Sequence, residues 1–191
     1  RVAAGVRLLA AAFPGDVAPA VPLRERTTLH IGGPALGWCR LRTAEQARRF
    51  LETAGERQVP TACLGGGSNV LAADAGFLGC VLHVETTEFA VDGPVVHAGA
   101  GLPLDEVIAR SLRAGLVGLE FASGIPGTLG GALVGNAGCF GHEIGEFVQS
   151  ATLLSAGGRL EEVGPERFAF AYRRSALQGS GDIVLAATLR L

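Results

Sequence analysis

The pattern of apolar and polar positions changes period several times along the chain, and each change marks an element. Residues 1–23, rich in Ala, Val and Pro, predict a helix followed by a loop. Ala35–Leu41 reads as a strand after the turn Gly32-Gly33-Pro34. Thr43 then stands as a helix N-cap with Gln46, three residues on, as its capping-box partner. That helix should run to about Ala54 and stop at Gly55. Val59–Leu64 predicts a short buried strand leading into Gly65-Gly66-Gly67-Ser68-Asn69, and Cys80–Val84 and Val95–Ala98 predict further strands. Pro103 suits the first turn of a helix through Ile108 to Ala114, closed by Gly115. Residues 118–141 are dense in glycine, and short strands return at Ser150–Ser155, Arg159–Val163 and Ile183–Leu191. Strands interleaved with few helices predict an α+β fold in two lobes, residues 1–84 and 85–191, divided near Glu85–Pro94.

Composition narrows the function classes. The chain has 191 residues, 48% hydrophobic and 18% charged, which argues against disorder over most of its length. All 16 basic residues are arginine, none in a basic run, against 18 acidic ones, so a nucleic-acid partner is not expected. Cys39, Cys63, Cys80 and Cys139 lie far apart without a C-x-x-C pair, which argues against a disulfide framework or zinc site and fits reduced thiols in a cytoplasm. No metal is expected. The apolar stretch Leu116–Phe140 carries Glu120, Pro126 and many glycines, so it is not read as a membrane helix, and Leu8–Phe13 is too weak for a signal peptide.

The 29 glycines fall in clusters, and the clusters suggest chemistry. A diphosphate needs several converging donors, which successive backbone N–H groups in a tight turn supply. Leu64-Gly65-Gly66-Gly67-Ser68-Asn69 has the parts, with hydroxyl and amide side chains added by Ser68 and Asn69. It is neither a Walker A loop nor a Rossmann fingerprint. On composition alone a ligand-free turn is an equal alternative. The second cluster runs Gly124-Ile125-Pro126-Gly127-Thr128-Leu129-Gly130-Gly131, then Gly135-Asn136-Ala137-Gly138. Such a run is costly in conformational entropy unless backbone must pass close to a bulky partner, such as a flat heteroaromatic ring, although structural turns in a core would also use it. Backbone N–H groups there could stabilise the charge of a reduced flavin. Tyr172-Arg173-Arg174-Ser175 offers an arginine for a carboxylate, but taken alone the pair reads as solvated arginines.

Taken together and in order, these pieces resemble one family. Thr27-Thr28-Leu29-His30-Ile31-Gly32-Gly33-Pro34-Ala35 resembles a T-x-x-x-G-G-P-A signature, and Leu64–Leu71 an L-G-x-G-S-N-x-L loop. Gly118-Leu119-Glu120-Phe121 through Gly130-Gly131 and Asn136-Ala137-Gly138 resembles a G-L-E…G-I-P-G-x-x-G-G…N-A-G block, and Tyr172–Ser175 matches Y-R-x-S. The family is that of the UDP-N-acetylenolpyruvoylglucosamine reductases (MurB), within the vanillyl-alcohol-oxidase-like (PCMH-type) FAD domains. The resemblance implies a two-lobed FAD-binding domain with FAD held without covalent attachment between the lobes. It places Leu64, Gly65, Gly66, Gly67, Ser68 and Asn69 on the pyrophosphate, with Gly32 and Gly33 nearby. Gly124, Ile125, Gly127, Thr128, Gly130 and Gly131 would line the flavin and the ADP portion, and Asn136, Ala137 and Gly138 would lie near the same cleft. It further implies NADPH as electron donor, an enolpyruvyl nucleotide sugar as substrate, peptidoglycan precursor synthesis in the cytoplasm, and Arg173 as the catalytic group that stabilises charge on the substrate carboxylate.

Family members continue as a third domain, which supplies much of the nucleotide-sugar site together with a catalytic serine and glutamate. This chain ends at Arg190-Leu191, and neither Ser175 nor Glu120 is assigned to those roles. Two expectations therefore stand: a piece of a full reductase, or a short FAD oxidoreductase acting on another substrate, with a partner chain or oligomer covering the open face. A non-catalytic ligand-binding module is a third, weighed against by the intact glycine loops. Covalent attachment of FAD through His30, Cys139 or His142 is the lesser alternative to non-covalent binding.

Overall fold

The computed structural model describes residues 1–191 as two compact units, Arg1–Val84 and Glu85–Leu191. The first unit holds helices α1 (Val2–Ala12) and α2 (Ala44–Glu56) and strands β1 (Val17–Pro22), β2 (Pro34–Leu41), β3 (Thr61–Cys63) and β4 (Phe77–Val84). Its sheet has the order β1-β2-β4-β3, with β1 antiparallel to β2 and the other pairs parallel. The residues expected to form a loop after α1 instead supply β1. Its prolines, Pro19 and Pro22, give no strand signal, yet proline is tolerated on a sheet edge, and β1 pairs on one side only. The strand expected at Val59–Leu64 shortens to β3, which is exposed along its length because it is the other edge.

Thr43 caps α2 as expected: its Oγ1 accepts the N–H of Gln46 at 3.1 Å. The Gln46 amide oxygen, however, takes the N–H of Arg42 at 2.7 Å, one residue earlier than a standard capping box. The helix also runs through Gly55 to Glu56, because the left-handed residue that ends the turn is Gln58 (φ +52), whose N–H bonds the Gly55 carbonyl. Val21, Leu23, Ala35, Trp38, Leu64 and Val81 form a core under this sheet. Cys39 and Cys80 are buried, and burial raises both thiols, Cys80 to about 12, so neither is a thiolate at neutral pH.

The second unit is built on an antiparallel sheet of order β10-β9-β11-β6-β5: β5 (Phe89–Asp92), β6 (Val95–Gly99), β9 (Val148–Leu154), β10 (Leu160–Val163) and β11 (Ile183–Arg190). Helix α3 (Leu104–Arg113) follows Pro103 and closes at Gly115, whose φ of +79 suits a residue without a Cβ. The glycine-dense stretch, for which no helix was expected, contains α4 (Leu129–Gly135), packed on β11 and β6, and a two-stranded ribbon, β7 (Gly138–Cys139) with β8 (His142–Glu143). Thr128 caps α4 by accepting the N–H of Gly131. The remaining unexpected strand, β5, is exposed over Ala90–Asp92 and is held by the turn at Asp92-Gly93 to β6. No helix is long and apolar enough to cross a membrane. The α+β class is the one expected.

Candidate cofactor site

In the first unit, β3 leads through Leu64 into the loop 65–69. Leu64 is buried, with its N–H on the Leu82 carbonyl, so the loop leaves a fixed point in the sheet. Gly67 needs to be glycine: its φ is +65, and a Cβ would stand 2.1 Å from the Arg26 carbonyl oxygen. Its own carbonyl accepts the N–H of Thr28 at 3.1 Å, which lays segment 26–28 alongside the loop. None of the backbone N–H groups of Gly65, Gly66, Gly67 and Asn69 is taken by a protein acceptor. A run of unclaimed donors at a turn is what a diphosphate requires, and the loop in this respect fits one.

Beside the loop lies an open depression of about 310 Å³ lined by Glu25, Arg26, Thr27, Thr28, Trp38, Gly65, Gly66 and His83. The Arg26 guanidinium lies over the Trp38 ring at 5.0 Å, and the His83 ring lies 5.1 Å from it. The sequence signal that stops at the Thr27-Thr28 motif passes over Arg26, Trp38 and His83, which come from three separate segments. Gly32 and Gly33 sit elsewhere in the packing. A Cβ on Gly32 would meet Ala72 Cβ at 2.5 Å, and one on Gly33 the Asp74 carbonyl oxygen at 2.0 Å. The close approach that requires glycine at these two positions is to the chain's own segment 72–74.

In the second unit, most donors of the turn 124–131 are committed within the protein. Gly124 N–H goes to Asp105 Oδ1, Ile125 N–H to Ala122, Leu129 N–H to Leu102, Gly130 N–H to Ala100, and Gly131 N–H to Thr128 Oγ1. Those of Gly127 and Thr128 have no protein acceptor, and Gly127 has a φ of +128. The unclaimed donors in this segment are thus two consecutive groups, immediately before α4.

Asn136, fully buried, ends α4 in the left-handed conformation (φ +46) that asparagine tolerates better than most residues. Its Nδ2 donates to Glu143 Oε2 at 2.6 Å and to the Ala171 carbonyl at 2.9 Å, and its Oδ1 accepts the Gly145 N–H at 3.1 Å. Gly138 lies against the His142 carbonyl, where a Cβ would come to 2.4 Å, while Ala137 is half-buried and donates to Ala132. Asn136 and its neighbours therefore join α4, β8 and the 171–174 turn.

That turn is closed by reciprocal backbone bonds between Ala171 and Arg174, with Tyr172 and Arg173 at its tip. Arg173 has φ +55 and is exposed, its guanidinium 5.7 Å from the Tyr172 ring and in no ion pair. Ser175, buried, anchors the turn's exit by donating to the Val134 carbonyl of α4 at 2.7 Å. Nearby, Glu146 is held below the ordinary carboxylate range, first by the hydrogen bond from His142 and then by the Glu143 N–H.

Residues 35–164 match the family model described as an FAD binding domain. The UDP-N-acetylenolpyruvoylglucosamine reductase 2 of Symbiobacterium thermophilum is 40% identical over 180 residues, 93% of this chain and 58% of that protein. The reductase of Synechococcus sp. is 40% identical over 177 residues, 90% of this chain and 57% of its own length. The chain thus spans less than two-thirds of the length of these curated relatives. Among solved structures, the MurB of Thermus caldophilus superposes with a TM-score of 0.80 at 34% identity, covering 91% of this chain and 61% of that one. A Phl p 4 variant described as a glucose dehydrogenase shares the fold at TM-score 0.71 and 15% identity, covering all of this chain and 44% of its own. The chain belongs to the FAD binding domain family and is similar over most of its length to UDP-N-acetylenolpyruvoylglucosamine reductases.

Proposed function

We propose that this chain is the FAD-binding portion of an NADPH-using reductase that acts on an enolpyruvyl nucleotide sugar in peptidoglycan precursor synthesis, in the cytoplasm. The observation that carries this reading is the 40% identity to a UDP-N-acetylenolpyruvoylglucosamine reductase across 93% of the chain. The four unclaimed N–H groups of the 65–69 loop support it as a diphosphate cradle.

In this reading Leu64, Gly65, Gly66, Gly67, Ser68 and Asn69 hold the pyrophosphate of a non-covalently bound FAD. Gly127 and Thr128 direct their N–H groups to the cofactor, while Gly124, Ile125, Gly130 and Gly131 shape the turn that presents them. Gly32, Gly33, Asn136, Ala137 and Gly138 support the site through backbone packing. FAD supplies the two-electron hydride chemistry when bound. Arg173 acts on the substrate: its guanidinium forms two parallel hydrogen bonds to a carboxylate and stays charged at working pH. Those bonds strengthen as negative charge grows on the carboxylate, and that difference lowers the barrier. Tyr172 and the left-handed backbone at Arg173 aim the group outward from a turn that Asn136 and Ser175 hold at its two ends.

The cofactor assignment is tested by the absorbance spectrum of the purified protein. Two visible flavin bands are expected, released into solution by denaturant and recovered on reconstitution with FAD. A colourless protein that takes up no FAD overturns the assignment, and flavin that stays with the denatured chain overturns non-covalent binding.

A further inference from the structure

The 65–69 loop offers dipoles to an anion but no full charge, since none of Gly65, Gly66, Gly67, Ser68 and Asn69 is cationic. A cation stands at its edge. Arg26 shares the open depression with Gly65 and Gly66, is exposed, and forms no ion pair, although Glu25 lines the same space. Most exposed arginines are mobile, but this one is constrained twice. Its backbone is fixed to the loop by the Thr28–Gly67 hydrogen bond and by the close packing of its carbonyl against Gly67. Its guanidinium rests on Trp38, which is only 4% exposed and set in the core of the unit. A guanidinium over an indole face keeps its edge N–H donors available while losing little entropy when an anion arrives. His83 lines the same depression, its ring 5.1 Å from that of Trp38. Its Nδ1 lies 3.0 Å from the Leu64 carbonyl, which can only accept, so Nδ1 carries the proton and the ring is fixed to the strand end from which the loop departs.

We propose that Arg26, seated on Trp38, is the charged partner of the diphosphate held by the 65–69 loop, and that this diphosphate is the one in FAD. The inference rests on the proposed function and adds to it a residue outside the matched motifs. It separates the phosphate contribution to cofactor affinity from the ring contribution: the loop and Arg26 read the diphosphate and are indifferent to the isoalloxazine.

The test titrates the flavin-stripped full chain with FAD, ADP, NADPH and riboflavin, following the emission of Trp38, the only tryptophan. Arg26→Ala is expected to weaken FAD and ADP on the order of tenfold each while leaving riboflavin unchanged. Arg26→Lys should fall between, because it keeps the charge and loses the planar stack. Added salt should weaken FAD binding by the original chain more than by Arg26→Ala. Thermal melting of the stripped variants, expected to match the original chain, separates a binding defect from a folding one. Equal losses for FAD and riboflavin, or no loss for FAD, overturn the role of Arg26 while leaving FAD binding intact. Loss confined to NADPH would assign the site to another dinucleotide and overturn the FAD source. If the original chain binds no FAD under any condition, the proposed function fails, and this inference with it.

Discussion

Arg173→Ala is expected to lower kcat/KM toward an enolpyruvyl carboxylate by about a hundred- to a thousandfold, the range for removing one donor from a site of developing negative charge. FAD should remain bound, because Arg173 is exposed at the tip of its turn and its side chain makes no hydrogen bond or ion pair within the protein. The backbone is little affected, since alanine meets the same left-handed conformation that Arg173 already adopts (φ +55). The size of the loss follows from charge. A carboxylate that gains electron density along the reaction draws more from a bidentate guanidinium in the transition state than in the ground state, and only that difference enters the rate. Arg173→Lys should recover a small part, because a point charge cannot match both carboxylate oxygens. The measurement is NADPH oxidation coupled to substrate, with the visible flavin spectrum as the control for cofactor retention. Unchanged kcat/KM in a variant that retains its flavin removes Arg173 from the chemistry. Loss of flavin together with activity would make it a cofactor ligand instead.

The second large effect is on stability. Asn136→Ala should destabilise the second unit by about 3 kcal/mol, through two lost donors, one lost acceptor and the left-handed backbone that alanine tolerates poorly. The partners left behind are the Ala171 carbonyl, the Gly145 N–H and the Glu143 carboxylate, which belong to two segments, 143–145 and the 171–174 turn. Asn136→Gly should recover about 1 kcal/mol of the loss, because it relieves the backbone but restores no hydrogen bond. Urea unfolding followed by the emission of Tyr172, the only tyrosine, reads the segment that Asn136 holds. A cost below about 1 kcal/mol would mean that water replaces the side chain at all three partners. That outcome would remove Asn136 as the anchor of the Arg173 turn.

The two residues carry different kinds of sequence signal. Arg173 is singled out by the resemblance of Tyr172–Ser175 to a Y-R-x-S motif, since taken alone the arginine pair reads as solvated. The resemblance to an N-A-G motif sets Asn136 near the cofactor cleft, whereas its side chain bonds to the protein itself. The same distinction holds for the glycines. Gly65, Gly66 and Gly67 lead out of a strand with their N–H groups unclaimed, as a phosphate loop needs. Gly32 and Gly33 lie in an equally clear motif, yet the contact that forbids a Cβ there is with Ala72 and Asp74. A glycine codon reports that backbone comes close to something and is silent on what that something is.

By itself the sequence determined the α+β class, helix α3 and the start of α2, the long strands β2, β6, β9 and β11, and membership in a flavin-binding family. Each of these rests on local information: a capping side chain, a proline in a first turn, an apolar run, or a motif read in order. The edge strand β1, the helix α4 inside a glycine-rich stretch, and the pairing of Arg26 with Trp38 were decided by the tertiary structure alone. A proline-containing edge strand exists only because β2 offers it a partner, and α4 exists because β6 and β11 give its apolar face a surface to cover. Arg26 gains its place from an indole twelve residues away and a loop some forty residues on, and no local pattern carries a contact between segments so far apart in the chain.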